Sequence, residues 1–364
     1  MANINDYLKW RGDISLIESP FNEIDALILS ELSYIHFDDL VPSSLAGKGV
    51  SFSALSERFF SMNYGVETTG AVVDKTEIIE LFKAAASSRR FSNVVLKGFI
   101  NDVDLEEEKQ FCAMTFILNE ATAAVVFRGT DDSIIGWKED INMAIFTPIP
   151  SQKQGEEYLN SVVSQSKIKH IYVCGHSKGG CIATYAALMC KQQDKIEHVF
   201  SFDSPGFQAD FVAKHKNNPI VPKLTKFCPD DTIVGAIFDS IENCKYIKCN
   251  VDGINQHDGL TWQVLGKEFV LADGQDESSV EFHNYLNSLV ADLSMDERIE
   301  LSNALYTFFT VNGATSITEA ISSKLRLFLG MLKTDSKTKK SLFSFINRAV
   351  KEKYFKKEPK NSDI

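Results

Sequence analysis

Apolar residues recur at Ile24, Leu27, Ile28, Leu32 and Ile35, the spacing of one helical face, and predict a helix within "NEIDALILSELSYI". A second helix is expected through "KTEIIELFKAAASS". The period then changes. "NVVLKGFIND", "KQFCAMTFIL" and "ATAAVVFRGT" are β-rich runs separated by the charged segment 102–109 and by the turn "NEAT", which reads most simply as antiparallel neighbours.

In the middle of the chain, strands and helices alternate. "IKHIYVCG", "IEHVFSFDSPG", "VPKLTKFCPDD" and "CKYIKCN" have the continuous apolar character of buried strands, and "GGCIATYAALMCKQQ" and "FQADFVAKHK" read as helices between them. This predicts an α/β fold: a mostly parallel central sheet with helices on both faces, presenting ligands at the carboxyl ends of its strands. Beyond residue 275 helices dominate, in "SSVEFHNYLNSLVADL", "MDERIELSNALYTFFTVNG" and "SITEAISSKLRLFLGML"; "SMDE" has the form of a capping box and Gly313 sits where a helix would stop. The expected organisation is a sheet domain over 1–275 that includes the N-terminal helices, a helical extension over 276–336 packed on it, and a basic amphipathic tail over 337–364. In that tail Leu342, Phe345, Ile346, Ala349 and Val350 form a stripe among many lysines, suited to docking on the body of the protein, to an acidic partner or to an anionic membrane surface.

Composition narrows the function classes. With 364 residues, 44% of them hydrophobic, the chain can bury a large core, and a net charge of −11 opposes a general nucleic-acid-binding role, which needs a basic face. No run of eighteen apolar residues occurs and the N-terminus lacks the pattern of a secretory signal. The seven cysteines fall mostly in apolar segments, and Cys244 and Cys249 are spaced for neither a zinc knuckle nor a redox pair. A cytoplasmic protein with reduced cysteines and no metal or organic cofactor is the expectation.

The candidate chemistry centres on "VCGHSKGGCIATYAA". Ser177 lies between Gly175 and Gly179, directly after a predicted strand and before a predicted helix, the context a strained nucleophile turn requires. The following helix N-terminus would aim the N–H of Lys178 at a developing oxyanion. A serine needs a base, and the base a carboxylate. Of the histidines after Ser177, His198 opens a strand, and His215 and His283 fall in helices, leaving His257 on the loop "NVDGINQHDGLTW". For the acid, Asp231 in "KFCPDDTIVG" is preferred, with Asp230 and Asp203 as alternatives. Thr130, after the strand ending in Arg128-Gly129, is the second oxyanion candidate. The apolar stretch after it, with Ile134, Ile135 and Trp137, is either a lid over an acyl pocket or a helix packed in the core.

"FRGTDDSIIGWKEDI" and "GHSKGG" resemble the strand-to-lid segment and the elbow of class 3 lipases, and the chain to about residue 325 is similar to a bacterial family related to those lipases. The resemblance implies an α/β-hydrolase fold, places the oxyanion residue on Thr130 and the nucleophile on Ser177, strengthens His257 as base, and points to Asp231, which stands one residue (Thr232) before an Ile-Val. Lys178 stands where secreted lipases commonly carry Leu, which argues against a secreted triacylglycerol lipase. The expected function is hydrolysis of a small acyl ester or lipid-like ester by a Ser-His-Asp triad. The alternatives are a catalytically silent binding protein of the same fold or a membrane-surface or partner-binding protein acting through the basic tail.

Overall fold

The computed structural model describes residues 1–62, 75–241 and 244–311, together with isolated positions 313, 316, 336, 339 and 340. Apart from those isolated positions, the third helix expected after residue 315 and the basic tail lie outside the described residues.

The chain begins with α1 (Ile4–Arg11), α2 (Glu23–Leu32), β1 (Val50–Ser51), α3 (Phe52–Ser61) and α4 (Lys75–Ser87). Asn22 caps α2 in a full capping box with Asp25. Every residue of α2 after Glu23 is buried, because this helix lies under the sheet against β4, β5 and β6 rather than on the protein surface. Its buried Asp25 is matched by the buried guanidinium of Arg90 and by the Tyr7 hydroxyl at 3.0 Å, which is how a charge is tolerated there.

The main sheet runs in strict sequence order through β1, β2 (Val95–Asp104), β3 (Lys109–Ile117), β4 (Thr122–Phe127), β5 (His170–His176), β6 (Ile196–Phe202), β7 (Leu224–Pro229) and β8 (Cys244–Ile247). Pairs from β1 to β4 are antiparallel, and pairs from β4 to β8 are parallel. The helices between strands are α5 (Ile134–Asn142), α6 (Pro150–Val163), α7 (Lys178–Met189) and α8 (Ala209–His215). Parallel crossovers are almost always right-handed, so strands added in one direction put their crossover helices on one face. Alternation along the strands fits this: Val125, Val173 and Ile171 join Ile182 and Ala186 of α7 in one core, whereas Val126 and Cys174 join Leu27 and Ile28 of α2 in the other. The N-terminal helices thus cover the face that the crossovers leave bare.

A short hairpin of β9 (Val264–Leu265) and β10 (Glu268–Phe269) follows. Then come α9 (Glu277–Ala291) and α10 (Met295–Thr310), the latter with the expected Ser294–Glu297 capping box. Both pack on the sheet domain: His283 of α9 bonds the Ala236 carbonyl oxygen at 2.7 Å, and Ser302 of α10 donates to Asn142 Oδ1 at 2.7 Å. Among the described residues no helix is long and apolar enough to cross a membrane.

Candidate active site

β5 and α7 are joined by Ser177 alone, at φ 57° and ψ −133°. A non-glycine residue there is strained, and its backbone is pinned on both sides. The Ser177 N–H donates to the Phe202 carbonyl oxygen at 2.9 Å, and its own carbonyl accepts from Gly180 N–H at 3.0 Å. The flanking glycines are required by close backbone passage. A Cβ on Gly175 would lie 2.3 Å from the Gly179 oxygen, and one on Gly179 2.1 Å from the Phe127 oxygen. Lys178 is the first residue of α7, so its N–H has no intrahelical acceptor and sits at the positive end of the helix.

His176 is in register with Phe202, so the residues that follow them, Ser177 and Asp203, leave the carboxyl edge of the sheet side by side. His257 arrives on a single helical turn, Gly253–His257, and is buried. Its Nδ1 meets Asp203 Oδ2 at 2.7 Å. Asp203 Oδ1 accepts from the Thr232 hydroxyl and from Gly235 N–H. Burial pushes this carboxyl up, but the bond to His257, its charge and the Thr232 bond together hold it below the usual carboxylate range.

The expectation placed on Asp231 is therefore corrected. Asp231 lies past the end of β7, where it accepts from the exposed Ser278 hydroxyl at 3.0 Å. Asp230 uses a side-chain oxygen on the N–H of Asp231. The loop after β7 does approach His257, but through Thr232 and Gly235, which cup the carboxylate of Asp203 instead of supplying one. Asp203, the third sequence candidate, is the residue brought to the imidazole.

Three neighbours, His176, Tyr34 and Glu31, went unmarked in the sequence. His176 is buried, its ring centroid 4.5 Å from that of His257. Its Nε2 is 2.7 Å from the carbonyl oxygen of His257 and its Nδ1 2.9 Å from the Tyr34 hydroxyl. A carbonyl can only accept, so Nε2 carries the proton and the Tyr34 O–H donates to Nδ1. Burial first, then the nearby His257, push His176 down to about 3, so it is neutral. Behind it, Glu31 is fully buried and 3.8 Å from His176 Nδ1. Burial and the nearby Asp258 push its carboxyl well above the ordinary value. His176 stands inside the quoted motif, so its place was legible. Tyr34 lies just past the end of α2, and nothing in the apolar pattern there marks it.

The Thr130 hydroxyl lies 2.8 and 2.7 Å from the two oxygens of Asp140, leaving its backbone N–H as the group free for an oxyanion. Burial pushes Asp140 up to about 6, with Lys178 and the Thr130 bond acting in the other direction. The Lys178 ammonium turns away from the elbow into the core. It donates to Glu139 Oε2 at 2.8 Å, Gln110 Oε1 at 2.8 Å and the Gln110 carbonyl at 3.0 Å, and both charged side chains are buried. Glu139 in turn accepts from Gln110 N–H and Ser151 N–H.

Ser177, His257, His176, Tyr34 and Thr130 all line one cavity of about 420 Å³, whose other walls are overwhelmingly apolar. Trp137 of α5, 37% exposed, lines it, as do Met143 and Ile145. Ile134 and Ile135 do not: Ile134 packs on Tyr306 and Phe309, and Ile135 is buried. The segment after Thr130 is thus a core helix that lends one face to the cavity. Leu286, Val290, Leu301 and Leu305 of α9 and α10 also line the cavity. Of the histidines set aside on sequence grounds, His198 bonds Thr225 within the sheet and His215 lies against the Phe211 ring. All seven cysteines are free thiols.

Among solved structures the chain is similar to a fungal lipase in complex with an inhibitor (15% identity, 68% of this chain and 81% of that one, TM-score 0.38). It is also similar to a mutant form of MDLA from Penicillium cyclopium (14%, 70% and 87%, 0.41) and to Lip2 lipase from Yarrowia lipolytica (15%, 62% and 79%, 0.33). No curated protein matches it. The family model for Mbeg1-like proteins covers residues 85–307, more than half of the chain and every strand from β2 onward together with most of α10, and the chain belongs to the Mbeg1-like family.

Proposed function

We propose that this chain is a serine hydrolase of carboxylic esters that works through an acyl-enzyme on Ser177. One observation carries the reading: a buried Asp203–His257 pair opens onto the same apolar cavity as a serine held in a strained strand-to-helix turn. With Asp203 on Nδ1, the imidazole keeps its proton there and offers the Nε2 lone pair as base. Ser177 Oγ attacks the ester carbonyl while Nε2 takes its proton, and the tetrahedral oxyanion is met by the amides of Lys178 and Thr130. Nε2 then protonates the leaving alcohol, and water repeats the sequence on the acyl-enzyme. The apolar cavity suits the acyl portion of the substrate.

A fluorophosphonate probe tests the reading. Wild-type protein should be labelled on Ser177 with loss of ester hydrolysis, and Ser177→Ala should be neither labelled nor active. A wild-type protein that resists the probe as well as Ser177→Ala does would instead support a silent binding protein of this fold.

A further inference from the structure

We propose that the α9–α10 hairpin is the acyl-selecting wall of the site, and that the substrate is an ester of a single unbranched acyl chain whose length is set by Leu286, Leu301 and Leu305. The inference rests on the hydrolase reading and extends it from the chemistry at Ser177 to the choice of substrate.

The cavity reaches from Ser177 and His257 to these leucines. Its volume of about 420 Å³ lies toward the lower end of the 300–1,000 Å³ typical of small-ligand sites, room for one acyl chain of limited length. Its lining beyond the reacting groups offers an acyl chain apolar contacts from Met143 and Ile145, which follow α5, and from Leu286, Val290, Leu301 and Leu305 of the hairpin.

The hairpin is fastened to the body by polar contacts at several points. Ser302 donates to Asn142 Oδ1 at 2.7 Å, Arg298 donates to the Ala144 carbonyl at 2.9 Å, and the Lys138 ammonium lies 4.5 Å from the centre of the Tyr306 ring. On α9, Ser279 donates to the Thr232 carbonyl, in the same loop that cups Asp203. Fixed wall residues, rather than a swinging cover, then decide how many methylenes fit. Each methylene that loses its place in an apolar pocket costs up to about fourfold in kcat/KM.

The test is a series of p-nitrophenyl esters from acetyl to dodecanoyl, read as the ratio of kcat/KM for long against short chains within each protein. Leu301→Trp fills the cavity and should lower that ratio by about tenfold or more. Leu305→Ala enlarges it and should move the optimum to longer chains. The exposed Asn303→Ala on the same helix should keep the wild-type ratio. Wild-type hydrolysis with unchanged ratios in both leucine variants would overturn the proposal while leaving the hydrolase reading intact. If wild-type protein hydrolyses no ester, that reading fails, and the wall is tested by binding of dansyl-undecanoic acid. Weakening of about tenfold in Leu301→Trp supports it, whereas equal binding, or no binding to wild type, overturns it.

Discussion

Replacing Asp203 by Asn tests the proposal that Asp203, which meets His257, rather than Asp231 is the acid of the site. Asp203 Oδ1 already accepts two hydrogen bonds, from the Thr232 hydroxyl and Gly235 N–H, while Oδ2 faces His257 Nδ1 at 2.7 Å. An Asn at 203 can satisfy those two donors only with its carbonyl oxygen, which turns its NH₂ toward Nδ1. Nδ1 must then accept, the imidazole proton moves to Nε2, and the lone pair that would activate Ser177 is gone. The corresponding exchange in a Ser-His-Asp triad lowers kcat about 10⁴-fold, or about 5.5 kcal/mol of transition-state stabilisation, and a loss of that order is expected here. Asp231→Asn disturbs only the bond from exposed Ser278, and its effect should stay within about twofold. The assay is hydrolysis of a short p-nitrophenyl ester near neutral pH, with thermal unfolding of each variant to confirm that it is folded. An Asp203→Asn protein within tenfold of wild type, beside an Asp231→Asn protein that has lost activity, would refute the assignment.

Three further expectations concern the groups around the site. His176 has its proton affinity lowered in the fold to about 3, from 6.5, so below pH 6.5 the unfolded chain binds the extra proton. Its contribution is full above 6.5 and is lost as pH falls toward 3, at about 1.4 kcal/mol per pH unit. Urea titrations between pH 6 and 4 should show a slope shallower by about that amount in His176→Gln. Glu31 is shifted the other way: its contribution is present below its ordinary value of 4.5 and is lost as pH rises toward the folded value. Glu31→Gln should therefore gain stability relative to wild type between pH 5 and 8, and a constant difference would contradict the burial argument. Lys178→Met strands Glu139 in the core and should cost about 3–5 kcal/mol in chemical denaturation, with Lys178→Met/Glu139→Gln recovering at least half.

The sequence was most legible where periodicity was strong. The helix α2, though buried all round rather than on one face, the antiparallel run from β2 to β4 and the alternation from β5 to β8 appear where the pattern puts them, and Ser177 was marked by its glycines. What escaped had tertiary causes. α6 contains Gly155, which a helix pattern discounts, yet a Cβ there would lie 2.4 Å from Ile182 on α7, so the glycine serves close helix packing. Tyr34 reaches the site only because α2 crosses beneath β5, a fact of topology that no local spacing records. The sequence does not say where the Lys178 ammonium goes; it is buried because Glu139 and Gln110, distant in sequence, accept its hydrogen bonds.

The displaced acid has a related cause. An imidazole needs a carboxylate at one point in space, and the carboxyl ends of β6 and β7 both border that point, since Phe202 pairs with Phe227 at the edge and the Asp203 N–H donates to the Phe227 carbonyl oxygen at 2.7 Å. Either strand can deliver the charge provided the other completes its hydrogen bonds. Here β6 delivers it, and the residues after Asp231 in the "DDTIVG" segment have become its donors. Read as a pattern, that segment still looks like a source of the acid, because a loop that cups a carboxylate and a loop that carries one need the same position and similar polar residues. The distinction lies in which side chains meet in space: a hydroxyl at Thr232 and an amide at Gly235 both aimed at Asp203 leave the carboxylate of Asp231 facing α9.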